Sequence, residues 1–375
     1  MAYGLTIDKT PNESNVKTKS TQIVTRCKSI TQIIKRIVAK YGLDDEEWAE
    51  AISSQYFLLC LAKQLSWEKK DYANLLNKCL SSFSVTYTGD YILDNEKLLV
   101  TPDETNRIIE CMQQEDDSDT YFTHSAKMQA KNIDSEQMYL NFHYGLLIRI
   151  VSSEDTEILR AIKHKCLDSL TEENALDISD GWYPYRVPWI TARILISLRE
   201  VDYSSYGGKE KLDRIITAAI SSLYQRIDED AAYWRSGVGE WVSKWESTAL
   251  CLEALYTWDA IKGHEKEVKK IINYVCTDKN KESWINNHVS FSTEENANNT
   301  LAGVILSSVI LRITGKLFAD LYDELCDDII RFFDTVISVI NKQDVTSVRQ
   351  YCTIPQILHY VLSALTQVIQ KEEGV

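Results

Sequence analysis

The feature that most constrains this chain is a phrase it repeats. Gly181-Trp182-Tyr183-Pro184-Tyr185-Arg186 leads into Trp189-Ile190-Thr191-Ala192, then Leu195 and Leu198. Tyr233-Trp234-Arg235-Ser236-Gly237 leads into Trp245-Glu246-Ser247-Thr248-Ala249, then Leu252 and Leu255. A weaker third copy begins at Trp284 and ends in Asn299-Thr300-Leu301-Ala302 with Leu306. In the two clear copies an aromatic loop ends in a Trp and a Thr-Ala, and leucines follow at helical spacing. The copies recur about every 50 residues, the length of two helices and two connections, so the chain reads as stacked helical hairpins.

The rest of the chain supports that reading. Ile23, Cys27, Ile30, Ile34 and Ile37 recur at three- and four-residue steps, which predicts a helix over 21–41 closed by Gly42. Asp44 is placed to cap a second helix running through Trp48, Phe57 and Leu61. A third is expected over 67–83. Val85, Tyr87, Tyr91 and Ile92 around Gly89-Asp90 fit a short hairpin or an ordered loop over 84–93. Pro102 opens a further helix, where a missing N–H costs little. Residues 135–151 and 154–170 form an antiparallel pair joined at Ser152-Ser153, and 209–227 and 264–276 are the partner helices of the clear repeats. Residues 296–314 and 317–340 form a hairpin hinged at Gly315, and 351–370 closes the chain.

Short joints make neighbouring helices antiparallel. Their alternation with long aromatic loops points to an all-α fold of two layers. The expected architecture is a barrel of helical hairpins, an α/α toroid, with an open helical-repeat solenoid as the alternative. Residues 1–20 are polar and lack the apolar core of a signal peptide; they are expected to form a flexible tail before one helical-repeat domain, 21–375.

Composition narrows the function classes. The formal net charge of −14 works against nucleic-acid phosphates and anionic membranes, so no nucleic-acid partner is expected. The densest basic segment, 17–40, alternates its charges with Ile and Val, as the wet side of an amphipathic helix does. The nine cysteines contain no C-x-x-C pair and sit mostly in helical patterns, which fits reduced, packed thiols in a cytoplasmic protein. No apolar run reaches about 18 residues, so no integral membrane association is expected.

The phrases around Trp189-Ile190-Thr191-Ala192 and Trp245-Glu246-Ser247-Thr248-Ala249 resemble repeats of the prenyltransferase and squalene/terpene cyclase superfamily. The resemblance covers about residues 180–311 and implies the α/α toroid. Class II cyclases of that group protonate an alkene with an Asp in a D-x-D-D-T-A or D-C-T-A phrase. Alignment on Thr248-Ala249 puts Glu246 at that acid, while Lys244 and Ser247 replace the flanking acids. Protonating an isolated alkene demands an unusually strong acid supported by its neighbours, and these are missing. The other reading of Glu246 is a first-turn acid favoured by the helix dipole.

Metal chemistry finds no footing. Zinc-dependent relatives use Asp, Cys and His ligands, but Cys251 and His264 lack that spacing, and His164 and Cys166 lie two apart on a helix. Asp116-Asp117-Ser118-Asp119 resembles a metal-binding Asp-rich motif, and no second motif follows it. No metal ligand set and no cofactor is assigned. Glu240 and Glu246 near Trp234, Trp241 and Trp245 leave a carbohydrate-active toroid as a weaker alternative.

The aromatic loops carry two readings. Trp182, Tyr183, Tyr185, Tyr233, Trp234, Trp241 and Trp284 either wedge between hairpins or line the mouth of a central cavity. In the second case Trp182, Tyr185, Arg186, Trp189, Trp234, Arg235, Trp241 and Trp245 would contact a ligand. Arg186, Arg193 and Arg235 would then pair with an anionic group, a carboxylate or a diphosphate. The sequence therefore implies a toroid-like binding module for a protein partner or a hydrophobic, isoprenoid-like or anionic ligand. The alternative is a divergent cyclase with Glu246 as its acid.

Overall fold

The computed structural model describes residues 13–43, 52–87, 92–94, 97–99, 148–150, 152, 157–171, 176–177, 181–182, 188–227, 233–234, 243–285, 289–342 and 353–374. These residues are all-α apart from two short antiparallel strand pairs.

The helices are α1 (Glu13–Tyr41), α2 (Ile52–Gln64), α3 (Lys69–Tyr87), α4 (Glu157–Leu170), α5 (Pro188–Arg199) and α6 (Lys209–Gln225). They continue with α7 (Lys244–Thr257), α8 (Glu265–Val275), α9 (Asp278–Trp284), α10 (Glu294–Leu317), α11 (Ala319–Lys342) and α12 (Thr353–Glu373). Residues 148–150 are also helical. The strand pairs are Ile92–Asp94 with Lys97–Leu99, and Leu176–Asp177 with Gly181–Trp182.

Burial sorts the helices into two kinds. α5 and α7 are buried almost all round, through Trp189 to Leu198 and Trp245 to Leu255. Helices α6 and α8 bury one stripe each, Leu212, Ile216, Ala219 and Leu223 on α6 and Val268, Ile271, Ile272 and Val275 on α8. A helix apolar on every face lies inside, and one with a single stripe lies outside. The inside helices form a series: α5 packs on α7, α7 on α10, α10 on α12 and α12 on α2. α11 and α1 cover this series from outside, with α11 on α10 and α1 on α11 and α12.

Side-chain ties show that the inside helices run parallel. Arg193 of α5 meets Glu246 at the start of α7, and Arg199 Nε donates to the Thr257 carbonyl at its end (3.0 Å). Ser308 Oγ of α10 donates to the Tyr360 carbonyl of α12 (3.2 Å), and Lys371 Nζ donates to the Gly315 carbonyl (2.9 Å). Ser243 and Thr293 start α7 and α10 by accepting from the N–H groups of Glu246 (3.1 Å) and Asn296 (3.2 Å). Both satisfy donors that a helix start leaves free.

Several boundaries differ from the sequence reading. α1 starts at Glu13 rather than near residue 21, and Gly42 does close it, at φ 75°. Residues 84–87 complete α3 instead of opening a hairpin, because helical spacing from Leu75, Leu76 and Cys79 runs on to Phe83 without a breaker. The hairpin comes later, pairing Ile92 with Leu99. Gly315 is no hinge. α10 passes through it, and the chain breaks at Phe318, where φ −137° and ψ 76° leave helical geometry. Trp284 ends a short helix rather than standing in a loop. The Asp44 cap, the Pro102 helix and residues 135–147 lie outside the described residues.

One helix stretch among the described residues, Glu295–Leu317, is long and apolar enough to cross a membrane by length and composition. Of its most apolar window, 78% is buried inside the protein. That burial is what a fully enclosed core helix shows.

Candidate functional site

The repeated tryptophans turn inward. Trp182 Nε1 donates to the Leu170 carbonyl at the end of α4 (2.9 Å). Trp234 Nε1 donates to the Leu223 carbonyl near the end of α6 (2.7 Å), and Trp284 Nε1 to the Val275 carbonyl ending α8 (3.0 Å). The last carbonyls of a helix lack intrahelical partners, and a buried one must be satisfied. Each indole therefore closes the outer helix that precedes it. All three are buried, Trp182 and Trp234 completely.

The Thr of each clear phrase ties the same loop to the inside helix. Thr191 Oγ1 donates to the Trp182 carbonyl (3.3 Å), and Thr248 Oγ1 accepts from the Trp234 N–H (3.2 Å). In the third copy a close approach takes that place. The Trp284 carbonyl packs so near Gly303 that a Cβ there would lie 2.3 Å from its oxygen. The repeat thus encodes packing: Trp182, Trp234 and Trp284 are buried and bonded to the ends of the preceding helices.

Charges converge between the inside helices instead. Arg193 Nη2 of α5 reaches Glu246 Oε1 of α7 at 2.9 Å. One turn-pair later on the same face of α7, Glu253 Oε1 accepts from Arg312 Nη2 of α10 at 2.8 Å. The carboxylates of Glu246 and Glu253 are each only 8% exposed. A third pair joins Arg149 to Glu200, just beyond α5, at 3.2 Å, and Tyr56 of α2 donates its hydroxyl to the same carboxylate. Arg149 lies over the Tyr56 ring at 3.6 Å, a cation held on an aromatic face. His359 and Tyr360 of α12 complete the cluster, each within ring contact of Phe57 (5.3 and 5.7 Å).

The electrostatics follow from burial and pairing. Burial pushes the Glu246 carboxyl above the ordinary carboxylate range, and Arg193 pulls it back without cancelling the shift. His359 is pushed down to about 3 by burial and by Arg149 and Arg312, so it is neutral at pH 7. Burial raises the Tyr360 hydroxyl far above its usual value, and Glu253 adds to this. Burial opposes the charge on Arg149 and on Arg312, but Glu200 and Glu253 hold both guanidiniums protonated.

This arrangement can bind and orient, but it offers poor acid chemistry. Arg193 favours the ionised form of Glu246, the form that has no proton to give. The other convergent acid, Glu253, is engaged in the same way. Arg149 Nε, Arg312 Nε, Glu253 Oε2 and His359 Nδ1 are among the buried atoms of the cluster that lack hydrogen-bond partners. Among the described residues no three His, Cys, Asp or Glu side chains group as a metal site. The seven cysteines among the described residues are free thiols, and burial raises Cys60 to about 11 and Cys27, Cys79 and Cys276 to about 12, which makes those four unreactive.

The residues singled out in the sequence fall into three groups. Glu246 is in the charged cluster, and Arg193 beside it binds this chain's own carboxylate. Trp189 and Trp245 are buried at the starts of α5 and α7, with Arg193 over the Trp189 ring at 5.6 Å and Lys244 over Trp245 at 4.5 Å. Tyr185, Arg186, Arg235, Trp241, Glu240 and the Asp116–Asp119 tract lie outside the described residues. Arg149, Glu253, Arg312, His359 and Tyr360 escaped the sequence reading. A signal existed: Glu246, Glu253 and Arg312 are charges on helices apolar on every face, and a buried charge needs a partner. No protein-family model, curated protein or solved structure matches this chain.

Proposed function

We propose that the chain is an α/α toroid that works by binding rather than by turnover, with a protein or a hydrophobic or anionic ligand as its partner. The observation that carries this is the Arg193–Glu246 pair at 2.9 Å. It commits the one acid that the cyclase-like phrase would use. The toroid itself is supported by the parallel inside helices. Their series α5–α7–α10–α12–α2 is bridged at its ends by Arg149, which touches Glu200 beyond α5 and Tyr56 of α2. An open solenoid would leave its first and last inside helices far apart.

The resemblance of the Trp-led phrases to prenyltransferase and terpene cyclase repeats agrees with the same shape. It contributes no catalytic motif, because the repeat residues are occupied in packing. The competing reading, a divergent cyclase, draws on the raised pKa of Glu246, which keeps more of the carboxyl protonated and so available as a donor, though a weaker one. Calorimetric titration with isoprenoid diphosphates, followed by product analysis of the same mixtures, separates the two. Heat or partner capture without product supports the binding role. Product that vanishes in Glu246→Gln, with its melting temperature unchanged, overturns it.

A further inference from the structure

A cavity of about 170 Å³ opens where α7, α10 and α12 end together. Three cations face it, Arg312, Lys316 and Lys371, with Tyr256 and Tyr322 as flat walls and Leu311, Ala364 and Val368 as the apolar side. No acid lines it. In a chain of net charge −14, a cavity faced by cations alone is a marked local reversal.

The cations are held in place but not saturated. Lys371 Nζ donates one proton to the Gly315 carbonyl (2.9 Å) and lies 4.7 Å above the Tyr322 ring. Neither partner carries a charge. Lys316 Nζ reaches Asp259 at 3.1 Å, a pair in which both side chains are more than half exposed, and such pairs are weak. Arg312 gives Nη2 to Glu253, while its buried Nε and the second Glu253 oxygen have no partner. Glu372, next to Lys371, accepts from the Tyr322 hydroxyl at 3.1 Å.

Lysines in the last turn of a helix also complement its dipole, which accounts for a cation at Lys316 and Lys371. It does not account for their facing a shared cavity. Nor does it account for Gly315, a glycine inside α10 that packing does not require. A Cβ there would meet Tyr322 at 3.5 Å and Lys371 at 3.6 Å, ordinary contact distances. Alanine would suit the helix better and would fit. What glycine alone preserves is the open wall of the cavity.

We infer that this cavity takes a small organic anion, a carboxylate or phosphate monoester on a compact apolar body. The anionic head meets Lys316 and Lys371, with the positive charge of Arg312 beside them, and the body lies between the two tyrosine rings. This names a ligand class for the binding role proposed above and rests on it. The test is calorimetric titration of the full chain with benzoate, phenyl phosphate, inorganic phosphate and benzyl alcohol. Saturable binding of benzoate or phenyl phosphate is expected, with the other two at least about tenfold weaker. Lys371→Met and Lys316→Met should each weaken it, and Gly315→Ala should weaken it while raising the melting temperature. No saturable binding of either aryl anion, equal binding of inorganic phosphate, or aryl-anion binding unchanged in all three variants overturns the site. Product formation by the wild type would overturn the binding role yet leave this titration to be judged by itself.

Discussion

At the residue scale, the most telling side chains are those the fold keeps in an unfavourable charge state. His359 is neutral because burial and two arginines push its pKa from 6.5 down to about 3. The unfolded chain takes up that proton first. Its contribution to stability is therefore complete above about pH 6.5 and is lost as pH falls towards 3, at up to about 1.4 kcal/mol per pH unit. Glu246 acts with the opposite sign. Its carboxyl is raised, so the native state holds the proton more tightly, and stability falls as pH rises past the ordinary carboxylate range. Urea unfolding of the wild type and His359→Leu at pH 7 and pH 5 isolates the first effect. The drop between the two pH values should be smaller in the variant; an equal drop would show that His359 titrates normally. Trp234 supports a second test, because its indole satisfies a buried carbonyl. Trp234→Phe should cost about 2–4 kcal/mol through the lost volume and the lost indole bond to the Leu223 carbonyl, which keeps only the longer bond from the Arg226 N–H (3.3 Å), read as a lower urea midpoint at constant slope.

At the element scale, two glycines on α10 make opposite predictions. Gly303 meets the Trp284 backbone so closely that a Cβ would overlap it at 2.3 Å. Gly303→Ala must push a wedge residue and its helix aside, and should destabilise by about 2 kcal/mol or more. Gly315→Ala meets only ordinary contacts and should stabilise by about 0.4–1 kcal/mol. Thermal melts of the pair decide it, and two shifts of the same sign would refute the assignment of Gly303 as an approach site. Glycine spacing alone does not distinguish these positions, which is why the sequence reading placed a hinge at Gly315. The Trp-led phrase was legible because packing a helix end against a loop is local: Leu223 and Trp234 are 11 apart. The charged cluster was not, because Arg193–Glu246 and Glu253–Arg312 span 53 and 59 residues. Nothing within one helix says which distant charge will meet it. Only the unexplained presence of charges on wholly apolar helices points that way.

At the scale of the whole molecule, the ion pairs fall between successive inside elements. Arg149–Glu200 joins residues 148–150 to α5, Arg193–Glu246 joins α5 to α7, and Glu253–Arg312 joins α7 to α10. Parallel neighbours whose faces are uniformly apolar can slide by a turn with little loss of burial, since aliphatic contacts are nearly interchangeable. Their aligned dipoles also repel side by side. A buried ion pair contributes little net stability because desolvation consumes most of its attraction, but it penalises every register that separates the charges. The pairs therefore set alignment more than they set stability. Arg312→Met alone strands the Glu253 carboxylate and should cost about 3–5 kcal/mol. Arg312→Met with Glu253→Met removes both charges and should return to within about 1 kcal/mol of the wild type. Near-UV circular dichroism and amide exchange of α7 and α10 then report whether the double variant still has one packing. Restored stability with weakened near-UV signal is the expected result. A double variant as unstable as the single one would show that the pair holds the helices together by attraction, and the registry argument would fall.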